Sequence, residues 1–401
     1  MTARLKIVIA GGGMAGLAVA ALLNRARHAE ALDVTLIDAG PRPVFLPDDD
    51  VGLRVSAISP GSEALLEQAG AWTHVTAARH SSYEHMRVWD ADQPADGSST
   101  LRFDADEFAK PRLGTIVENS LVQHALLETL PDSRFELRFA TRMESVEVAD
   151  GGHRLALDTG EEIAADLLIA ADGGRSPVRE ALGIGVTRLA YTQTAFVTHV
   201  TPEQPHRETA WQRFLPTGPI GLLPLADGRV SVVWSTTPDL AAAAMDDDDA
   251  ALADKLSHAS DHVLGRLTPA GPRGTFPLAA QHAERYVGEG VALVGDAAHT
   301  IHPLAGQGAN LGFADAKSLV DTIERALDAG EFPADRPVLR RYERERRGAN
   351  AVMMHALTGL NRLFASHSPV VGQARRTGMQ LFNRAGPVRR RIVEVAFGAD
   401  R

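Results

Sequence analysis

The chain has 401 residues, 44% hydrophobic and 23% charged, with a formal net charge of -10. This is an ordinary globular composition, long enough for two or three domain-sized units and a core able to enclose a bulky ligand. There is no cysteine, which excludes disulfides, thiolate metal centres, dithiol chemistry and cysteinyl attachment of a cofactor.

Residues 5–39 predict a βαβ unit: "LKIVIA" a strand, "GGGMAG" a turn, "LAVAALLNRA" a helix and "DVTLIDAG" a second strand. The short β-branched run and the glycines set this opening apart from the simple apolar helix of a signal peptide. Gly11, Gly13 and Gly16 stand at GxGxxG spacing, with Ala15 in the same turn. The first glycine suits a tight turn, the second a backbone touching a pyrophosphate, the third close helix–strand packing. Asp38 ends the second strand, where a carboxylate accepts both hydroxyls of an adenosine ribose. These features predict binding of an ADP-containing cofactor and do not separate FAD from NAD.

Further along, residues 54–72 predict a strand end and a helix, and Met86–Asp90 a strand. Glu118–Leu130 predicts a helix with Leu121, Val122, Ala125, Leu126 and Leu130 on one face. "LLIAADGGRSPVRE" runs a buried strand into an Asp172–Gly173 turn and a helix cap. From 185 to 277 the texture changes to alternating strand-like segments joined by Pro, Gly and Asp turns, an antiparallel sheet in a second domain. Within it, Asp246–Asp249 reads as the acidic first turn of a helix. "VALVGDAAH" returns to a buried parallel-type strand, so the first domain is discontinuous. The fold class expected is α/β: a Rossmann-like cofactor domain over 1–184 and 278–335, an inserted antiparallel β-sheet substrate domain over 185–277, and a helical region over 336–401.

The stretch "GDAAHTIHPLAGQGANLGFADA" carries the third motif. Asp296 can bind the hydroxyls of an extended polyol. Beyond Pro303, the Gly306–Gln307–Gly308 loop presents N–H groups at a helix starting near Ala309. With the helix dipole they stabilise negative charge on one end of a ring, and Asn310 adds a side-chain contact. His299 and His302 lack carboxylate or thiol partners at ligand spacing, so no metal is predicted. His299 reads as a hydrogen-bonding residue and His302 as facing the substrate.

The three motifs in this order resemble the FAD-dependent aromatic monooxygenases of the para-hydroxybenzoate hydroxylase type. "RVSAIS", "MRVWD", "LGTIVENSLVQHALL", "FLPTGPIGLLPL" and "GLNRLF" narrow the resemblance to the ubiquinone-biosynthesis hydroxylases, from about residue 5 to about residue 395. The resemblance implies non-covalent FAD, with Arg54 near its diphosphate, Gln123 on a supporting helix, Asp172 in the second cofactor motif and Pro303 beside flavin and substrate. It implies reduction by NAD(P)H or a partner, O2 addition at flavin C4a, and oxygen transfer to an electron-rich ring, foremost a polyprenylated phenol. Arg213, Phe214, Leu223, Pro224 and Trp234, with His302 and Pro303, are the expected substrate-pocket residues. No side-chain acid or base is assigned. A small soluble phenol as substrate, and a non-catalytic scaffold role, stay open as alternatives.

Charge is unevenly spread: residues 336–401 carry +10 and the rest -20. The acidic body argues against general nucleic-acid binding. The basic tail, with Arg389–Arg391 beside Ile392, Val393 and Phe397, reads either as a weak contact for anionic lipid or an acidic partner such as another quinone-biosynthesis protein, or as packing on the acidic body. The apolar runs are too short or too broken to span a bilayer. The expected location is cytoplasmic, with peripheral contact with the inner membrane.

Overall fold

The structure, a computed structural model, describes residues 4–131, 135–149, 151–302, 307–366, 368–386, 389–391 and 393. In chain order the elements that build the site begin with β1 (Leu5–Ala10), α1 (Met14–Arg25), β2 (Leu32–Ile37) and β3 (Val55–Ile58). There follow β4 (His85–Asp90), β5 (Leu101–Asp104), β6 (Gly114–Glu118), α2 (Asn119–Leu127), β7 (Phe135–Arg138) and β8 (Leu167–Ala170). Next come β9 (Val186–Pro202), β10 (Thr209–Leu215), β11 (Gly218–Pro224), β12 (Val230–Thr236), α3 (Pro238–Asp246), α4 (Asp249–Ala259) and β13 (Leu267–Ala283). The chain closes with β14 (Val287–Gly288), β15 (Val291–Leu293), β16 (His299–Thr300), α5 (Gln307–Asp328), α6 (Arg336–Phe364) and α7 (Pro369–Arg384).

One sheet has the order β14-β15-β8-β1-β2-β7. Its inner pairs are parallel; only β14 runs against β15. The central strands read as unbroken apolar runs because both faces are covered: every residue of β8 is buried, and α1 packs Leu17, Val19 and Leu23 into the same core. β15 joins this sheet about 120 residues after β8, so the sheet is built from two separate stretches of the chain.

The second sheet has the order β16-β13-β9-β12-β11-β10-β4-β5. Its pairs are antiparallel except β10 with β4. It takes in β4 and β5, which the sequence texture had assigned to the first domain, and β13 runs past 277 to Ala283. The local pattern carries no sign of this, because the partner of β4 lies far downstream. Alternation gives the sheet two distinct faces. One buries Phe196, Ile220, Leu222, Val232 and Trp234 against α3 and α4. The other packs Val88, Phe214 and Ala280 against Ile301 and residues of α6 and α7. The four-aspartate run breaks α3 from α4, and Asp248 caps α4 by accepting from the N–H of Ala251 at 2.8 Å.

Candidate active site

The glycine turn after β1 is sterically fixed. Gly11 has φ +112°, and a Cβ there would lie 2.2 Å from the carbonyl oxygen of Ala171, so only glycine fits. A Cβ on Gly16 would lie 2.0 Å from the Gly11 oxygen, which sets the helix–strand approach. Gly13 is different: nothing lies within 4 Å of the position a Cβ would take. That open side sits at the N-terminus of α1, which has no side-chain cap and no acidic residue in its first turn. Its free N–H groups and positive dipole end make an anion site. Asp38 accepts from the N–H of Gly12 at 2.5 Å and of Gly40 at 2.6 Å, and Gln123 Nε2 donates to the Gly12 oxygen at 3.2 Å.

The other two motifs meet the same turn. Asp172 follows β8 directly beside Gly11. One of its carboxylate oxygens accepts from the Val178 N–H at 3.0 Å; the other, Oδ1, is buried with no hydrogen-bond partner among the described residues. Burial raises its pKa, against hydrogen bonds from Ser176 and Val178. At the end of β15, Gly295 has φ +58°, and the positions of a Cβ on Gly295 and on Gly312 lie 3.0 and 3.5 Å from Ala15 Cβ. Small residues at these three positions let α1 and α5 converge on one crevice. Asp296 keeps its side chain in solvent contact along that crevice, although protein surrounds it on most sides. Desolvation raises its pKa, opposed by the charges of His299 and Arg54. Arg54 is exposed and stands over the Phe276 ring at 5.6 Å.

The first turn of α5 also lacks acidic residues, and Gly308 faces open space. Pro303 and Gly306 lie outside the described residues, as does the side chain of Gln307. Asn310 departs from expectation. It is buried, accepts from the Ser59 N–H at 3.0 Å and donates to the Ala57 oxygen at 2.9 Å. Its amide staples α5 to β3 instead of standing free in the crevice.

These features coincide with what comparison with known proteins finds. Residues 4–356 match the FAD binding domain family. The chain belongs to this family. It is 37% identical to 3-demethoxyubiquinol 3-hydroxylase of Escherichia coli (strain K12) over 98% of both chains. It is 36% identical to the ubiquinone biosynthesis monooxygenase COQ6, mitochondrial, of Xenopus tropicalis, over 97% of this chain and 92% of that one. Its fold is similar to that of PqsL from P. aeruginosa, crystallised in complex with 2-aminobenzoylacetate: TM-score 0.77 at 22% identity, over 94% of this chain and 99% of that one.

The described residues of this flavoprotein fit FAD. The cradle at Gly13 and the uncapped start of α1 suit a diphosphate, Asp38 a ribose, the orphaned oxygen of Asp172 a hydrogen-bond donor, and Asp296 a polyol chain.

A buried polar network holds this flavin-side turn, and sequence reasoning had found only one of its members, His299. Asp315 of α5 is fully buried. Its Oδ2 lies 2.5 Å from His299 Nε2 and accepts from the Gly295 N–H at 3.1 Å; its Oδ1 accepts from Arg346 Nε at 2.8 Å and Asn350 Nδ2 at 3.0 Å. Burial alone would raise its carboxyl, but the charges and hydrogen bonds of His299 and Arg346, with Asn350, override it and hold the group at about 2. The available signal was a lone acid on the apolar stripe of Phe313, Ala316, Leu319 and Val320.

The expected pocket residues divide between the two sheet faces. Phe214 and Leu223 lie on the face toward the flavin loop, Phe214 stacked on Phe364 with ring centroids 3.9 Å apart. Arg213, Pro224 and Trp234 lie on the opposite face. The Arg213 guanidinium donates to the carbonyls of His258 and Ala259 at the end of α4 and of Ala91. Pro224 pairs with Val230, and Trp234 packs in the cluster under α3 and α4. The period of two separates the faces, but without a known partner layer it does not say which face is which. His302 lies on the flavin-loop side. It is buried, with Nε2 3.1 Å from Gln193 Oε1 and its ring edge-on to Tyr191 at 5.0 Å. Gln193 Oε1 already accepts from Asn361 at 3.0 Å and its Nε2 donates to the Thr217 oxygen at 3.0 Å. His302 therefore carries its proton on Nε2 and leaves Nδ1 bare, with no partner among the described residues. Burial pushes its pKa down to about 4, so it is neutral at physiological pH.

Proposed function

We propose that this FAD-dependent monooxygenase hydroxylates the aromatic ring of a polyprenylated phenol on the route to ubiquinone, with NAD(P)H as reductant. The balance is ring C–H, O2, NAD(P)H and a proton in; ring C–OH, NAD(P)+ and water out. Bound FAD supplies electron storage and oxygen activation. The chain's own residues hold and shield. The Gly13 turn and α1 hold the diphosphate, Asp38 and Asp296 hold hydroxyls, and the N–H groups that open α5 stabilise negative charge at one end of the ring system. His302 is neutral and, among the described residues, donates to Gln193, so it does not charge the pocket.

One observation carries the substrate class. On the flavin-loop face of the large sheet, Gln212, Gly221 and Val233 form a half-buried row across β10, β11 and β12. Val197 continues this row to Gly274, against which Leu53 packs next to Arg54 and the Asp296 crevice. Buried clusters flank the row on both sides, and none of these five sheet residues is charged. An uncharged, half-buried sheet row beside a flavin crevice suits an apolar, electron-rich ring. The prenyl tail makes such a substrate lipid-like, so the protein works at a membrane surface or beside other quinone-biosynthesis proteins. Among the described residues no helix is long and apolar enough to cross a membrane. Profiling quinone intermediates in a strain lacking the gene tests the reading. It predicts accumulation of a polyprenylated phenol short of one hydroxyl, relieved by the restored gene; an unchanged quinone pool contradicts it.

A further inference from the structure

Between Arg346 and Val393 the sequence has no aspartate or glutamate and nine arginines. Several of these arginines are committed to the body. Arg346 pairs with Asp315, Arg375 with Asp90, and Arg389 with Glu107 at 2.6 Å; Arg390 donates to the Glu107 oxygen. Of the readings left open for the Arg389–Arg391 cluster, lipid or partner contact against packing on the body, Arg389 and Arg390 take the packing one, and Val393 is buried. What faces water lies on α6 and α7. On α7 the outward positions, at spacings of three and four, are Val370, Gln373, Ala374, Thr377, Gly378 and Leu381, none charged. They line a shallow apolar groove, with Val370 78% and Leu381 61% exposed. The outer side of α6 adds Val352, Leu360 and Leu363. A helix stripe facing water is normally polar or charged. Here it is apolar, and the charged residues that these two helices place on the neighbouring turns, Arg362, Arg376 and Arg384, are all basic.

We propose that this face of α6 and α7 docks on an anionic lipid bilayer. The apolar stripe enters the headgroup boundary while the arginines meet lipid phosphates. A second copy of the chain is a poorer occupant, because an isologous contact would press these arginines together. The inner sides of the same helices pack Met354, Leu357, Phe364 and Met379 against Phe214 and Val88. The docked helices are therefore those that cover the proposed substrate side of the sheet. This places a lipid-like substrate and its pocket on the same side of the molecule, and in that respect it rests on the functional reading above.

The test is co-sedimentation of the full-length, FAD-loaded protein with vesicles of phosphatidylcholine alone or mixed with phosphatidylglycerol. The docking face predicts binding to the phosphatidylglycerol vesicles that weakens with salt. Arg362→Gln with Arg384→Gln should lower it by about 5-fold per charge, and Val370→Ser with Leu381→Ser by about tenfold or more. These positions are exposed, so unfolding temperatures should stay at the wild-type value. Absence of binding to phosphatidylglycerol vesicles, or binding unchanged in both double variants, overturns the proposal; capture of a protein in place of vesicles does the same. Docking is read without turnover, so an inactive wild-type protein that still docks would overturn the functional reading and uphold the docking face.

Discussion

Asp315→Asn removes one charge from a place that water does not reach. The carboxylate is fully buried and its partner Arg346 is 6% exposed. The amide that replaces it offers one oxygen and one NH2 group. If the oxygen keeps Arg346 and Asn350, the NH2 faces the Gly295 N–H, donor against donor. Arg346 then stays buried without a counter-charge, which costs roughly 3–5 kcal/mol. A chain of 401 residues that unfolds cooperatively has an unfolding entropy near 0.8 kcal/mol per kelvin, so the midpoint should fall by about 4–6 °C. Because the folded pKa lies below the unfolded one, the stabilisation is fully present above the ordinary 3.8 and is lost as pH falls toward about 2. From about pH 5 to pH 8 Asp315 itself is ionised in both folded and unfolded states and adds no pH dependence of its own to the gap between wild type and variant. Thermal unfolding of the apo proteins across that range, with flavin retention measured alongside, is the assay. A midpoint within about 1 °C of wild type would refute the view that this network holds the Gly295 turn.

Gly13→Val should change apo stability by no more than about 1 kcal/mol, the scale of a cap, while FAD retention falls at least about tenfold, since the new side chain occupies only the open cradle; equal flavin content after gel filtration would contradict this. Asp38→Ala removes the acceptor of two backbone N–H groups and should weaken FAD binding by roughly 1–3 kcal/mol, read by fluorescence titration. His302 has a depressed pKa, so its contribution is complete above 6.5 and lost as pH falls toward about 4. Chemical denaturation at a series of pH values should give wild type a loss of up to roughly 3 kcal/mol over that window that His302→Asn does not share. Arg213→Ala should lower stability by about 1–3 kcal/mol and leave KM unchanged, because its guanidinium serves the end of α4.

The glycine turn after β1 was legible in sequence because backbone chemistry dictates it. Gly11, Gly13 and Gly16 answer to a positive φ, an open approach and a close packing, and each leaves a mark at fixed spacing. Asp38 was read from the end of the second strand and Gln123 from the family resemblance; both bond to the Gly12 backbone of the same turn. The return of the chain to the first sheet was legible too, since β15 is as uniformly apolar as β8. What was hidden depended on partners distant in the chain. The parallel pairing of β4 with β10 has no local signature. The division of Phe214 and Leu223 from Arg213, Pro224 and Trp234 needs the helices on each face. Asn310 in the first turn of α5 and Asp315 further along it both look like ordinary polar helix residues, and only tertiary contacts make one a staple and the other a buried anion.

Mass spectrometry of the product formed under 18O2 tests the assignment of a monooxygenase most directly. The FAD-loaded protein, NAD(P)H and a short-chain prenylated phenol are the components. One 18O atom should enter the ring as hydroxyl from 18O2, and none from H218O in ordinary oxygen. Ring oxygen drawn from water, or reductant consumed with peroxide as the sole product, would contradict it.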